Sequence, residues 1–254
     1  MFKLLIITQD EPFYLYSNLK YLLENIPIGS KVIGCVISEP SPFGKKETFF
    51  EKTVKTFKIF GGKFFIYYTA KFICNRLFQP RLKHLLKRKK IPIIDLVGSI
   101  NSTNNLEIIK QHQPDLLISI LGNQIFKKPL LDLAPNGCIN LHTALLPKYR
   151  GLMPSFWVLK NNETHTGVSV FFVDEGIDSG PIIVQDRIEI GSMTQEELII
   201  KSKKQGMDCI LKAIRYIMEG EVLLKPNQDE LSSYYSFPTK KDVEEFVKSG
   251  KRFF

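Results

Sequence analysis

The sequence predicts an α/β protein built on a doubly wound, mostly parallel sheet, and three observations predict it. The chain opens on an apolar run (FKLLIIT, 2–8), a leucine stripe at helical spacing within 14–26, and a second apolar run (KVIGCVIS, 31–38). The same alternation of runs and stripes resumes after residue 90. Apolar residues at 44% and charged residues at 24% of a 254-residue chain are enough to bury a core in one or two domains.

Taken in order, 2–8 is a short continuous apolar run, as expected for a strand buried on both faces. Leu15, Leu19, Leu22, Leu23 and Ile26 place one apolar face on a helix over 14–26. Strand 31–38 should stop at Glu39-Pro40. Residues 45–90 interrupt the alternation with a basic helical insertion: two helices, about 46–60 and 63–78, broken at Gly61-Gly62, then a basic tail KHLLKRKK. Strand 91–97 follows, then a short helix to His112 opened by an Asn104-x-x-Glu107 capping box. Strands 115–120 and 137–142 come next, and Pro154 starts a helix to Lys160. Runs 166–173 and 181–190 alternate as a hairpin around the loop DEGIDSG. A Thr194-x-x-Glu197 box opens a long helix ended by Gly220, and a Thr239-x-x-Asp242 box opens the last one. The stretch between those helices reads as irregular. The expected organisation is a catalytic domain over 1–205 and a small C-terminal extension over 206–254. The turn after the first strand, TQDEPF, has no glycine, so the fold is Rossmann-like without a dinucleotide fingerprint.

Composition narrows the function classes. The N-terminal apolar run is too short for a signal peptide, and no run reaches the roughly 20 residues of a membrane span. The four cysteines are dispersed and the four histidines form no HxxxH pair, so no metal site is expected. A cytoplasmic location is the expectation. The formal charge of +9 is local: 45–90 holds 14 Lys and Arg against two glutamates, while the remainder holds 21 basic and 24 acidic residues. That segment could cover a sheet edge, form a homodimer contact, or meet anionic phosphates or a membrane surface.

The chemistry concentrates in NLHTALLPKYRG (140–151) and DEGIDSG (174–180). Residues two apart on a strand share a face, so Asn140 and His142 leave it side by side. An amide can donate to a developing oxyanion, and an imidazole can do the same or relay a proton. A carboxylate such as Asp178 can hold the imidazole in one tautomer. The trio suits attack of an amine on a carbonyl. No Ser or Cys stands beside a base in these loops, which favours direct transfer over a covalent intermediate. The plain alternative is structural: polar groups ending a strand, and a turn-forming aspartate.

The segments CINLHTALLPKYRGLMPSFW and GVSVFFVDEGIDSGPIIVQ resemble the folate-dependent formyltransferases. The shared pattern is Asn140-x-His142, Leu145-Leu146-Pro147, Gly151, Gly167-Val168 and Asp178-x-Gly180, with Thr143-Ala144 departing from the usual pair before LLP. The resemblance implies formyl transfer from 10-formyltetrahydrofolate to a primary amine, without a metal. Asn140 and His142 would stabilise the oxyanion, and Asp178 would orient His142 or a water. The pterin would lie between Gln124, Ile125 and Phe126 on one wall and Val173, Asp174 and Asp178 on the other. Lys148 and Arg150 would meet an anionic substrate. Within the family, the glycinamide ribonucleotide enzymes open with a glycine-rich phosphate loop that TQDEPFYLYSNL does not match. Methionyl-tRNA formyltransferases carry a C-terminal barrel for which the tail is expected to be too short, although the basic insertion could contact tRNA. The tail is similar to that of stand-alone enzymes acting on amino sugars, so a nucleotide-linked amino sugar is the expected acceptor.

Overall fold

A computed structural model describes residues 1–38, 48–122 and 124–254. The expected stop at Glu39-Pro40 and the first residues of the insertion, 45–47, lie outside them. The parallel core runs β1 (Phe2–Gln9), α1 (Leu15–Glu24), β2 (Ser30–Ser38), α2 (Phe49–Phe78), α3 (Leu82–Arg88), β3 (Ile93–Ile94), α4 (Thr103–Gln111), β4 (Leu116–Ser119), α5 (Lys128–Leu131) and β5 (Cys138–His142). There follow β6 (Arg150–Gly151), α6 (Pro154–Lys160), the hairpin β7 (His165–Phe172) and β8 (Ile182–Glu189), α7 (Gln195–Glu219), β9 (Tyr234–Tyr235) and α8 (Lys240–Lys248).

The seven-stranded sheet has the order β3-β2-β1-β4-β5-β7-β8. β1 to β5 pair in parallel, while β7 and β8 add antiparallel strands at one side. This is the expected Rossmann-like α/β fold. In β1 and β4 successive residues point to opposite faces. Leu4, Ile6, Leu116 and Ile118 join the larger core under α1, α6 and α7, and Leu5, Ile7 and Leu117 join a smaller one under α4 and α5. Burial on both faces is why these strands read as unbroken apolar runs. The strand order reverses between β1 and β4, and a crevice opens there beyond the carboxyl ends of the strands.

Of the local expectations, some hold and others are corrected. The two helices of the insertion hold as expected: the Phe49–Phe78 stretch labelled α2 is broken at Gly61, whose φ of 79° and ψ of 173° are not helical. The basic tail KHLLKRKK contains helix α3, because Leu82, Leu85 and Leu86 share one buried face at i, i+3, i+4. β3 shrinks to Ile93–Ile94 at the sheet edge. α4 is capped by Ser102, which accepts from the backbone of Asn105, rather than by an Asn104 box. α7 forms as expected, one unbroken helix with the Thr194 capping box and Gly220 in the left-handed C-cap, and residue 205 lies within it.

Helix α2 of the insertion joins the larger core, on the side of α1 and α7, through Phe60. Its second half clamps the loop between β1 and α1. Phe13 sets its ring edge-on to Tyr68 at 5.8 Å, Asn75 Nδ2 donates to the Pro12 carbonyl at 3.1 Å, and Lys71 pairs with Glu196. Phe253 from the C-terminus packs between Phe60, Phe64 and Phe246. Among the described residues no helix is long and apolar enough to cross a membrane.

Candidate active site

The crevice holds a cleft of about 230 Å³ lined by α1, by the loops after β4 and β5, by the 173–178 loop and by α7. Asn140 and His142 both face it from the end of β5. Asn140 Oδ1 is buried without a hydrogen-bond partner, which a polar group in a finished core rarely is. Asp178 reaches the same spot from the hairpin loop, its Oδ2 3.4 Å from His142 Nδ1.

His142 has a second anchor besides Asp178. Its Nε2 lies 2.7 Å from the Tyr149 carbonyl. A carbonyl only accepts, so Nε2 carries a proton and Nδ1 is the nitrogen that faces Asp178. The backbone of Tyr149 therefore fixes the tautomer, and the carboxylate sits where a second proton would arrive. Tyr149 is itself fixed: its N–H donates to Ser233 Oγ at 2.9 Å, its hydroxyl donates to Glu163 at 2.7 Å, and its ring stacks on Tyr235 at 5.2 Å.

Asp178 occupies the left-handed region, φ 51°, which aspartate tolerates better than most residues. Gly151 N–H donates to its Oδ2 at 2.9 Å. Asn227 Nδ2 donates to the carbonyls of Asp178 and Gly180 at 2.8 and 2.9 Å. A Cβ on Gly180 would strike the Phe172 carbonyl, which accounts for the second half of the Asp-x-Gly signal. Gly151, with φ 96°, likewise has the Tyr235 carbonyl where a Cβ would sit.

Arg150 does not face the cleft. It is buried, with Nη1 donating to Asp229 at 2.7 Å and Nη2 to the carbonyl and Oδ1 of Asn227. It thus holds the residue that holds Asp178. Lys148 is exposed and also outside the cleft lining. The LLP turn, with its cis Leu146-Pro147 peptide, is pinned by Ser169, whose Oγ accepts from Leu146 N and donates to the Ala144 carbonyl. Gln185 adds a bond to the Leu146 carbonyl at 2.8 Å.

The expected pterin walls face each other across the cleft: Gln124, Ile125 and Phe126 opposite Val173, Asp174 and Asp178. Two of these side chains are already committed. Gln124 Oε1 accepts from Ile100 N at 2.9 Å, and Asp174 Oδ1 accepts from Ser179 and Gly176 N. They shape their loops.

The opposite wall holds residues that motif reading missed: Leu15 and Asn18 of α1, and Lys203 and Met207 of α7. Burial lowers the Lys203 ammonium pKa, partly opposed by Glu11. Its Nζ lies 5.8 Å from the Tyr14 ring. The only sequence signal was a lysine on the apolar side of a helix. Glu11 meanwhile accepts from the N–H groups of Phe13, Tyr14 and Leu15 at 2.8–3.0 Å, so a carboxylate of the chain occupies the N-terminus of α1. Among the described residues no group of His, Cys, Asp and Glu is arranged to hold a metal ion.

Comparisons place this arrangement. Residues 95–214 match the formyl transferase family. A methionyl-tRNA formyltransferase of Kosmotoga olearia is 34% identical over 170 residues, 66% of this chain and 54% of that protein. The chain thus spans about half the length of such relatives. Among solved structures, an N-formyltransferase of Helicobacter canadensis, in complex with folinic acid and dTDP-3-aminofucose, aligns with TM-score 0.60 at 20% identity, covering 98% of this chain and 80% of that one. A glycinamide ribonucleotide transformylase of Symbiobacterium toebii aligns with TM-score 0.62 at 18% identity, covering 89% of this chain and 92% of that one. The 95–214 segment, which carries the trio and much of the cleft, thus matches the formyl transferase family.

Proposed function

We propose that the protein transfers a formyl group from 10-formyltetrahydrofolate to the primary amine of a nucleotide-linked amino sugar. The observation that carries the reaction class is the convergence of Asn140, His142 and Asp178, with Asn140 Oδ1 buried and unpartnered. The donor supplies an activated formyl carbonyl. The cleft suits it: Gln124, Ile125, Phe126, Val173 and Asp174 line the same cavity as the trio.

In this reading the Asn140 amide donates to the oxygen that gains charge as the amine attacks, while its free Oδ1 accepts an N–H of that amine. His142 keeps Nε2–H on the Tyr149 carbonyl, so proton traffic uses Nδ1. The proton that the attacking amine gives up arrives there, is shared with Asp178 Oδ2, which the Gly151 N–H holds in place, and passes to N10 of the tetrahydrofolate as the N10–formyl bond breaks. Lys203 on the far wall takes an anionic group of the acceptor.

Two observations support a sugar acceptor. Glu11 already fills the helix N-terminus that would cradle a phosphate in the glycinamide ribonucleotide reading. The structural likeness to the Helicobacter canadensis enzyme extends over 98% of this chain, tail included. A second reading, formylation of methionyl-tRNA, is favoured by the 34% identity to the Kosmotoga olearia enzyme. Incubation with 10-formyltetrahydrofolate and either a panel of nucleotide amino sugars or methionyl-tRNA separates them. Formylation of a sugar is expected, and formylation of tRNA alone overturns the sugar reading.

A further inference from the structure

We infer that the outer face of α2 docks on an anionic membrane surface. Beyond the Gly61 kink this helix turns Tyr68 and Phe72 inward, onto Phe13. The opposite side presents Ile66, Ala70, Ile73, Cys74 and Leu77 to solvent, spaced i, i+4, i+7, i+8, i+11. That is one continuous stripe, roughly 16 Å long at helical rise. Ile66 is 70%, Ile73 50% and Leu77 71% exposed, and Phe78 ends the stripe at 81%. A helix apolar on both sides is normally covered on both, and a contiguous apolar surface marks a contact.

Charge selects the occupant. Residues 45–90 carry 14 basic and two acidic side chains. Beyond Pro80 the chain enters α3, whose solvent side shows Lys83, Lys87 and Arg88. A second copy would bring the same positive charge against this face. A nucleic acid would neutralise the lysines but leave isoleucine and leucine in water. A bilayer of anionic lipid takes both, with the apolar stripe in the headgroup boundary and the cations on the phosphates. The cleft opens between β5, the 173–178 loop, α1 and α7, and none of the stripe residues lines it, so docking leaves the catalytic trio free. The inference does not depend on the acceptor's identity.

The test is co-sedimentation of the purified chain with vesicles of phosphatidylcholine alone or mixed with phosphatidylglycerol. Binding is expected only to the mixed vesicles and should weaken as salt rises. An Ile66→Glu/Ile73→Glu variant should bind at least about tenfold more weakly while melting as the parent does. Cys74 is exposed and Cys35, Cys138 and Cys209 are buried, so a polarity-sensitive thiol dye labels the stripe itself. Its emission should shift to the blue on the mixed vesicles. Failure to sediment with them, or equal sedimentation of the double variant, overturns the inference. So does a dimer that the double variant dissociates, or tRNA binding that it abolishes while vesicles are ignored.

Discussion

The two walls of the cleft are built on different principles. The sheet-side wall, from 140–151 and 173–180, is fixed by backbone and short-range bonds: Tyr149 carbonyl on His142, Gly151 N–H on Asp178, Ser169 on the LLP turn. The helical wall, with Asn18, Lys203 and Met207, depends on side chains carried by α1 and α7 and on an insertion clamped over the intervening loop. Chemistry common to a family suits the first kind of wall, because a backbone geometry is hard to alter piecemeal. Acceptor choice suits the second, where a single residue changes charge or shape without disturbing the fold.

Substitutions should separate the walls. The largest effect belongs to Asn140→Ala, which under the proposed mechanism removes an oxyanion donor worth about 3–4 kcal/mol. Turnover should fall by about two to three decades, with the melting temperature and acceptor KM nearly unchanged; an unaltered kcat removes Asn140 from the reaction. Asp178→Asn retains an acceptor for Gly151 but loses the charge facing His142 Nδ1. A loss of about a hundredfold in kcat is expected, and if KM moves in place of kcat, the carboxylate serves binding.

Arg150→Met probes whether the sheet-side wall needs the C-terminal tail. The lost charge-assisted bonds to Asn227 and Asp229 should cost about 2 kcal/mol. Thermal melts should fall by about 4–8 °C, with kcat reduced because Asn227 no longer anchors Asp178. A variant as stable as the parent would show the tail to be dispensable. The smallest effect is expected for Lys203→Met: about a tenfold rise in acceptor KM at constant kcat.

Lys203 also predicts a pH dependence. A lysine whose folded pKa is lowered by burial keeps its charge below that pKa and loses it as pH rises through it, earlier than an exposed lysine does. Acceptor kcat/KM should therefore fall on the alkaline side before the ordinary lysine range, and Lys203→Arg should abolish that limb. The linkage sign follows. Protonation of this group opposes folding below its lowered pKa, so Lys203→Met should leave the melting temperature unchanged or raise it.

Where sequence reading succeeded, the signal was local. The apolar runs of β1, β2, β4 and β5, the capping boxes at Thr194 and Thr239, and the two-residue spacing of Asn140 and His142 all report on neighbours along the chain. Where it failed, the partner was distant. Arg150 was read as a substrate contact because a basic residue in a turn gives no hint of Asn227 and Asp229, 77 and 79 positions away. Tyr149 was passed over because the group it offers His142 is its carbonyl, which every residue has. The tail looked irregular because its order comes from pairing β9 with β6 and from Trp157 donating to the Ser236 carbonyl.

The sequence by itself determined the α/β sheet and the identity of the three polar groups at its carboxyl edge, since alternation, capping and i, i+2 spacing are properties of the chain alone. Only the tertiary structure decided which ring nitrogen of His142 is tied, that Arg150 is a strut, that Glu11 closes the N-terminus of α1, and that Lys203 enters the cleft. Each of these depends on residues brought together by the topology, and the energy that selects them arises from burial, which the unfolded chain does not have.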